Sequence, residues 1–199
     1  MKRIDKLLDS KIIEEKLSYH KNDGKRIAEI LRLEQNSICA YTEEYLGRAD
    51  KADVEHFNPT LKSTVHDDYQ NWFLVKAQWN TEKGRTARWN KYQPLLYPTA
   101  SDLQERIMYD KGHYILSDEE DTEARNLRSY LKLDDEELAK QRIHYILRMK
   151  KDIDLSGLTS QEFIDWRLST PEYVSTIYYI RAIEEELNVK VDFDLIKHK

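Results

Sequence analysis

Five glycines and four prolines in 199 residues leave little material for tight turns. That scarcity argues against a turn-rich β architecture and for helices. A single cysteine, Cys39, excludes an internal disulfide and any all-cysteine zinc site within one chain. No apolar run approaches the roughly 18 residues that would suggest a membrane span. The start, MKRIDKLLDSKIIEEK, is charged throughout and shows no secretory signal, so a cytoplasmic protein with no membrane partner is expected. Hydrophobic residues make up 40% of the chain and charged residues 35%, with a mean hydropathy of −0.81. Together these describe a modest core under a strongly solvated surface, and the length favours one domain. A net charge of −5 gives no encouragement to a nucleic-acid partner, although global charge says little about a local site. The 13 tyrosines are numerous for reasons that composition alone does not supply.

Residues 1–36 are expected to form two helices, with Ile4, Leu7, Leu8, Ile12 and Ile13 on one stripe and Ile27, Ile30, Leu31 and Leu33 on the next. Asn22-Asp23-Gly24 is the turn between them, with Asn22 or Asp23 available as a cap. In residues 37–92 the helical period fails. Short apolar runs (Val54 to Phe57, Trp72 to Val75) replace it, so the strands are expected there. Residues 93–199 turn helical again, interrupted by MYDKGHYIL around Gly112, a hairpin or loop. Asp134 with Glu137 marks the start of a long helix to about Lys151, with a stripe of Leu138, Ile143, Ile146 and Leu147. Thr159 or Ser160 caps a helix to about Leu168, and Thr170-Pro171 opens another reaching Leu187. The tail is expected to be a short strand or to fray. The three segments are taken as one compact unit of α+β class, mostly α.

Charge is uneven. Asp102 to Lys140 holds twelve acidic residues against six basic, whereas Lys83 to Lys91 holds Lys83, Arg85, Arg88 and Lys91 and no acid. The basic strip is interleaved with Trp79, Trp89 and Tyr92, the mixture that phosphate contact and base packing use. A solvated helix face with core aromatics accounts for it equally well.

The residues that carry chemistry are Asp53-Val54-Glu55-His56-Phe57-Asn58-Pro59, Asn71-Trp72-Phe73-Leu74 and Trp79-Asn80-Thr81-Glu82-Lys83-Gly84. Singly, each is weak: Glu55-His56 is an ordinary surface pair, Asn71 a turn residue, Asn80 a helix cap. Their order, with 15 residues from His56 to Asn71 and nine from Asn71 to Asn80, resembles the HNH endonuclease family. In that family a ββα unit surrounds one divalent metal. EQNSICAYTEEYL, DVEHFNP, YQNWFLVKAQWNTEKG, PLLYP, YDKGHYI and LRSYLKLDDEELAKQR are further similar to the bacterial HNH proteins found with retrons and Septu-type anti-phage systems. Those proteins carry CAYCE, VEHFRPK and CxxCNxxKG. The likeness is patchy but collinear from about Gln35 to Arg142, and VEHFNP and NTEKG are its strongest parts.

The resemblance implies an HNH ββα-metal core at 37–92, between N-terminal helices and a C-terminal helical subdomain. It implies a metal-dependent nuclease hydrolysing phosphodiester bonds, with DNA as substrate, an antiviral role and an ATPase partner. His56 is then the general base, Glu55 and Asn80 the metal ligands, and Asn71 the residue that holds the loop and orients His56. Asp53, on the same side of the strand as Glu55, is a fallback ligand. His66 could reach metal or phosphate, and Lys83, Arg85, Arg88 and Lys91 would meet nucleic acid. Carboxylate and amide oxygens suit Mg²⁺ or Mn²⁺.

Two departures matter. The CxxC pairs of many relatives have become Cys39 with Thr42 and Lys76 with Trp79, so no structural zinc is expected. Ile38, Tyr41 and Trp79 packing as a plug would take its place, with Cys39 a buried thiol. Asn58 also stands where the family has arginine. These changes keep open a catalytically inactive scaffold that binds a partner or nucleic acid. A helical interaction protein would require no hairpin near residues 50–90.

Overall fold

A computed structural model of the chain describes residues 1–62, 64–84 and 86–195. Ile4 through Leu8 do not form the expected helix. Backbone N–H groups in residues 2–7 are drawn to tertiary acceptors instead: Lys2 N donates to Glu43 Oε1, Arg3 N to Gln104 Oε1, Ile4 N to the Pro98 carbonyl and Leu7 N to the Tyr69 hydroxyl. Partners of this kind outweigh a modest helix propensity. Only α1 (Lys11–Glu14), capped by the Ser10 hydroxyl, survives from that stripe, and of its apolar residues Ile12 alone is buried. After a single 3₁₀ turn (Tyr19–Lys21), α2 (Gly24–Glu34) buries Ile27, Ile30 and Leu31 as its periodicity predicts. Leu33 faces outward.

The first two strands lie in the middle segment, 37–92, where strands are expected. β1 (Ala52–His56) and β2 (Trp72–Lys76) pair antiparallel, with Ala52 opposite Lys76 and His56 opposite Trp72. Trp72, Phe73, Leu74 and Val75 are all buried. A strand covered on both faces reads as a continuous apolar run rather than an alternation. The covering includes the 35–45 turn, which adds to β2 through Ala40 N on the Leu74 carbonyl and a two-way pairing of the Gln35 side chain with Leu74 N and O. β2 runs directly into α3 (Ala77–Lys83), and α4 (Thr86–Lys91) follows.

In the C-terminal half, α5 (Leu103–Arg106) leads into a hairpin of β3 (Ile107–Asp110) and β4 (His113–Leu116). Its two-residue turn, Lys111-Gly112, has positive φ at both positions, as the twist of a tight hairpin requires. The helices α6 (Thr122–Tyr130), α7 (Glu136–Ser156), α8 (Ser160–Ser169), α9 (Pro171–Val174) and α10 (Ile180–Leu187) complete the chain. Asp135, one residue beyond the expected Asp134, caps α7 by accepting from Leu138 N. Thr159 and Glu162 form the capping box of α8. The expected single helix from 171 to 187 is broken at 175–179, where Tyr179 adopts positive φ and its N–H donates to the Glu43 carbonyl. Leu147 faces outward, and Tyr145, Met149 and Ile153 join Leu138 and Ile146 on the inner face of α7. The tail forms one 3₁₀ turn at Phe193–Leu195, and residues 196–199 lie outside the described residues.

The class is α+β, with helices predominating over two small antiparallel two-stranded sheets. One hydrophobic cluster surrounds the first hairpin and extends to α6, while a second joins α7, α8 and α10. Among the described residues no helix is long and apolar enough to cross a membrane.

Candidate active site at the end of the first hairpin

The loop from Phe57 to Asn71 joins β1 to β2, and Asn71 closes it. Its Oδ1 accepts from Asn58 N at 2.7 Å, and its Nδ2 donates to the Asn58 carbonyl at 3.1 Å. This is the loop-holding role expected of Asn71. The expected direct bond to His56 is replaced by an indirect one. Asn71 Nδ2 also donates to Asp67 Oδ1 at 2.9 Å, Trp72 Nε1 donates to the same oxygen at 2.8 Å, and His56 Nδ1 lies 3.0 Å from it. Asp67 is therefore the acceptor shared by three side chains, and sequence reasoning missed it. HDDYQN offers nothing to separate Asp67 from Asp68, which instead caps the 3₁₀ turn (Tyr69–Asn71) before β2.

A carboxylate can only accept, so Asp67 fixes the His56 proton on Nδ1 and leaves the lone pair on Nε2. Nε2 is buried and has no hydrogen-bond partner among the described residues. The Tyr19 ring contacts the imidazole edgewise, 4.7 Å between centroids. Burial pushes the His56 pKa below the ordinary histidine value, with Asp67 opposing. Burial thus favours the neutral ring, the form a general base requires.

His56 borders a cavity of about 620 Å³ whose walls also include Glu55, Pro59, Lys62, Asn80 and Lys83. Successive strand residues face opposite sides, yet Val54, Glu55 and His56 at the end of β1 all border this cavity. Asn80, on the first turns of α3, donates Nδ2 to Asp53 Oδ2 at 3.1 Å. Asp53 thereby orients the carboxamide, leaving Oδ1 as the acceptor of Asn80. Glu55 is almost fully buried, and its Oε1 rests against the Lys83 ammonium. Lys83 Nζ also donates to the His56 carbonyl at 2.9 Å and the Phe57 carbonyl at 3.0 Å. Burial pushes the Glu55 carboxyl up to about 7, against the pull of Lys83, and lowers the Lys83 pKa.

Glu55, His56 and Asn80 therefore converge on one cavity, with Asp67 and Asp53 one bond behind and Asn71 a further bond behind Asp67. The basic strip is another matter. Lys83 is 3% exposed and turned inward, because its three donors are matched by a carboxylate and two carbonyls; it is no part of an outer surface. Arg88 directs its guanidinium to the Ser129 and Tyr130 carbonyls. Lys91 is exposed beside Tyr92, and Arg85 lies outside the described residues. Among the described residues, the exposed cation lining the cavity is Lys62, which sequence reasoning passed over because it stands alone in a polar loop. His66 is exposed and is not among the cavity-lining residues.

Cys39 is a buried free thiol, and its Sγ accepts from Lys76 N at 3.4 Å. Positions 39 and 76 thus meet in space, with Lys76 Nζ on Glu44 at 2.7 Å, Ile38 and Tyr41 buried, and Trp79 half-buried. Among the described residues no three His, Cys, Asp or Glu side chains are grouped to hold a metal. No family model, curated protein or solved structure matches the chain.

Proposed function

We propose that the protein is a divalent-metal-dependent endonuclease of the HNH kind, hydrolysing phosphodiester bonds in DNA. The observation that carries this reading is the convergence of Glu55, His56 and Asn80 on one cavity, with His56 Nε2 buried there and unpartnered. His56 Nε2 would take the proton from an attacking water, and Asp67 would steady the imidazolium that forms. The donor chemistry fits a hard cation. Glu55 and Asn80 would hold Mg²⁺ or Mn²⁺ through oxygen, a small set that leaves positions for water and phosphate. Such an ion supplies neutralisation of charge on the phosphate and on the leaving oxygen. Lys62, exposed on the cavity lining, is placed to attract the phosphate backbone. Through the resemblance, the reading extends to an effector of anti-phage defence working beside an ATPase partner, with the acidic C-terminal half as the docking side.

The Lys83 ammonium against Glu55 favours a second reading, a scaffold in which a lysine has taken over the charge that a metal would carry. Mn²⁺ titration followed by electron paramagnetic resonance separates the two. The nuclease reading expects binding that weakens in Glu55→Gln and Asn80→Ala. Binding that is absent, or indifferent to both changes, supports the scaffold. Plasmid incubated with Mg²⁺ or Mn²⁺ then tests the activity itself.

A further inference from the structure

Two adjoining concavities, of about 440 and 250 Å³, share Tyr145, Arg148, Ser175 and Tyr178 and form one groove along α7. The groove shares no residue with the cavity at Glu55, His56 and Asn80. Helical spacing brings His144 and Arg148 to one side of α7, and the broken segment between α9 and α10 forms the facing wall.

An aromatic platform lies within it. The Tyr145 and Tyr178 rings are 4.3 Å apart, and Tyr178 and Tyr179 are 5.0 Å apart. Tyr145 is fixed in place, its hydroxyl donating to the Thr176 carbonyl at 2.7 Å and accepting from Tyr178 N at 3.3 Å. Tyr178 is half-buried, so part of its ring remains open to the groove.

The charges of the lining do not cancel. Glu44 is matched by Lys76 at 2.7 Å and Asp152 by Arg167 at 2.8 Å. Arg148 and His144, both exposed, have no hydrogen bond or ion pair among the described residues. A cationic surplus beside a cluster of tilted tyrosine rings, one of them partly open, calls for a ligand that is both anionic and aromatic. Guanidinium–phosphate contact and base–tyrosine stacking are the pairing that nucleic-acid binders use. An acidic protein segment would satisfy Arg148 but leave the platform without a partner.

We propose that this groove binds a nucleotide unit, with phosphate on Arg148 and the base on Tyr178. The ligand class follows from the groove's own chemistry; joined to the nuclease reading, on which only this last point rests, it adds a second contact for the strand being cut.

The test uses the full chain in EDTA, so that no cleavage intervenes. Fluorescein-labelled (dT)₁₂ is followed by anisotropy, and AMP and TMP by calorimetry. At least one of these probes is expected to bind, with affinity reduced about tenfold or more by Arg148→Glu and by Tyr178→Leu. Binding of the oligonucleotide alone assigns the groove to a strand, and binding of a mononucleotide assigns it to a free nucleotide; each upholds the proposal. Absence of binding by every probe overturns it, as does binding indifferent to Arg148→Glu. Arg148 is exposed, so its replacement is expected to leave the unfolding midpoint unchanged. Hydrolysis of bis(p-nitrophenyl) phosphate with Mn²⁺ reads the other cavity separately. It is expected to survive Arg148→Glu and to disappear in His56→Ala, so failure of either site is seen without the other.

Discussion

The imidazole of His56 and the carboxylate of Asp67 form a buried pair, with Nδ1 lying 3.0 Å from Oδ1 and 2.9 Å from Oδ2. Trp72 and Asn71 donate to the same carboxylate, so its position is set independently of the histidine. Replacing Asp67 by Asn should disturb the tautomer of His56 more than its place in the fold. We expect turnover to fall by about 10²-fold, within the range general-base catalysis contributes, with little change in KM. Long-range ¹H–¹⁵N correlation should show the proton on Nδ1 in the wild type and a loss of that preference in the variant. An unchanged tautomer with unchanged turnover would remove Asp67 from the account.

The Glu55–Lys83 pair predicts a stability effect. Lys83→Met leaves a carboxylate buried without its cation and strips two carbonyls of their donor. Breaking a buried pair in this way costs about 3–5 kcal/mol. The double variant Glu55→Gln/Lys83→Met removes the stranded charge and should be less destabilised than the two single changes added together. Urea unfolding of the four proteins gives the coupling directly.

Lys6 makes a pH prediction. Its ammonium donates to the Trp72 carbonyl and lies over the Tyr69 and Phe73 rings, and burial lowers its pKa to about 7. Between about pH 7 and the ordinary lysine range the unfolded chain binds a proton that the folded chain does not, so this group's contribution to stability rises with pH across that window. The slope is at most about 1.4 kcal/mol per pH unit. Stability of the wild type relative to Lys6→Met should therefore improve from pH 7.5 to 9.5. A constant difference would contradict it.

Two glycines with positive φ should differ in what alanine does to them. At Gly112 an added Cβ would sit 2.6 Å from Ile143 Cγ1 and 2.9 Å from the Ala139 carbonyl, whereas at Gly157 nothing lies within 4 Å. Gly157→Ala carries only the left-handed backbone penalty, about 1–2 kcal/mol. Gly112→Ala adds a clash with α7 and should cost clearly more, read from the shift in thermal midpoint.

How far the sequence foretold this structure depended on whether a feature was local. The strands, the hairpin at Gly112 and the helix carrying Ile27, Ile30 and Leu31 follow from period and turn chemistry. The N-terminal helix failed because Glu43, Gln104, Pro98 and Tyr69, all distant in sequence, supply the acceptors for that backbone. Glu55, His56, Asn71 and Asn80 were named through the HNH resemblance, and the structure brings Glu55, His56 and Asn80 to one cavity. Asp67 and the inward turn of Lys83 were not, since a charged residue in a polar loop or beside a basic strip reads as surface until the fold shows what faces it. The inward turn of Arg88 was hidden for the same reason, both its partners lying on α6.

The central claim is that His56 acts as a base on a phosphodiester. Single-turnover cleavage of a labelled DNA duplex with Mn²⁺, by the wild type and by His56→Ala in the presence and absence of imidazole, tests it most directly. The account predicts cleavage by the wild type that EDTA abolishes, loss of about 10²-fold or more in His56→Ala, and partial recovery with imidazole. Equal cleavage by both proteins, or none by the wild type, would contradict it.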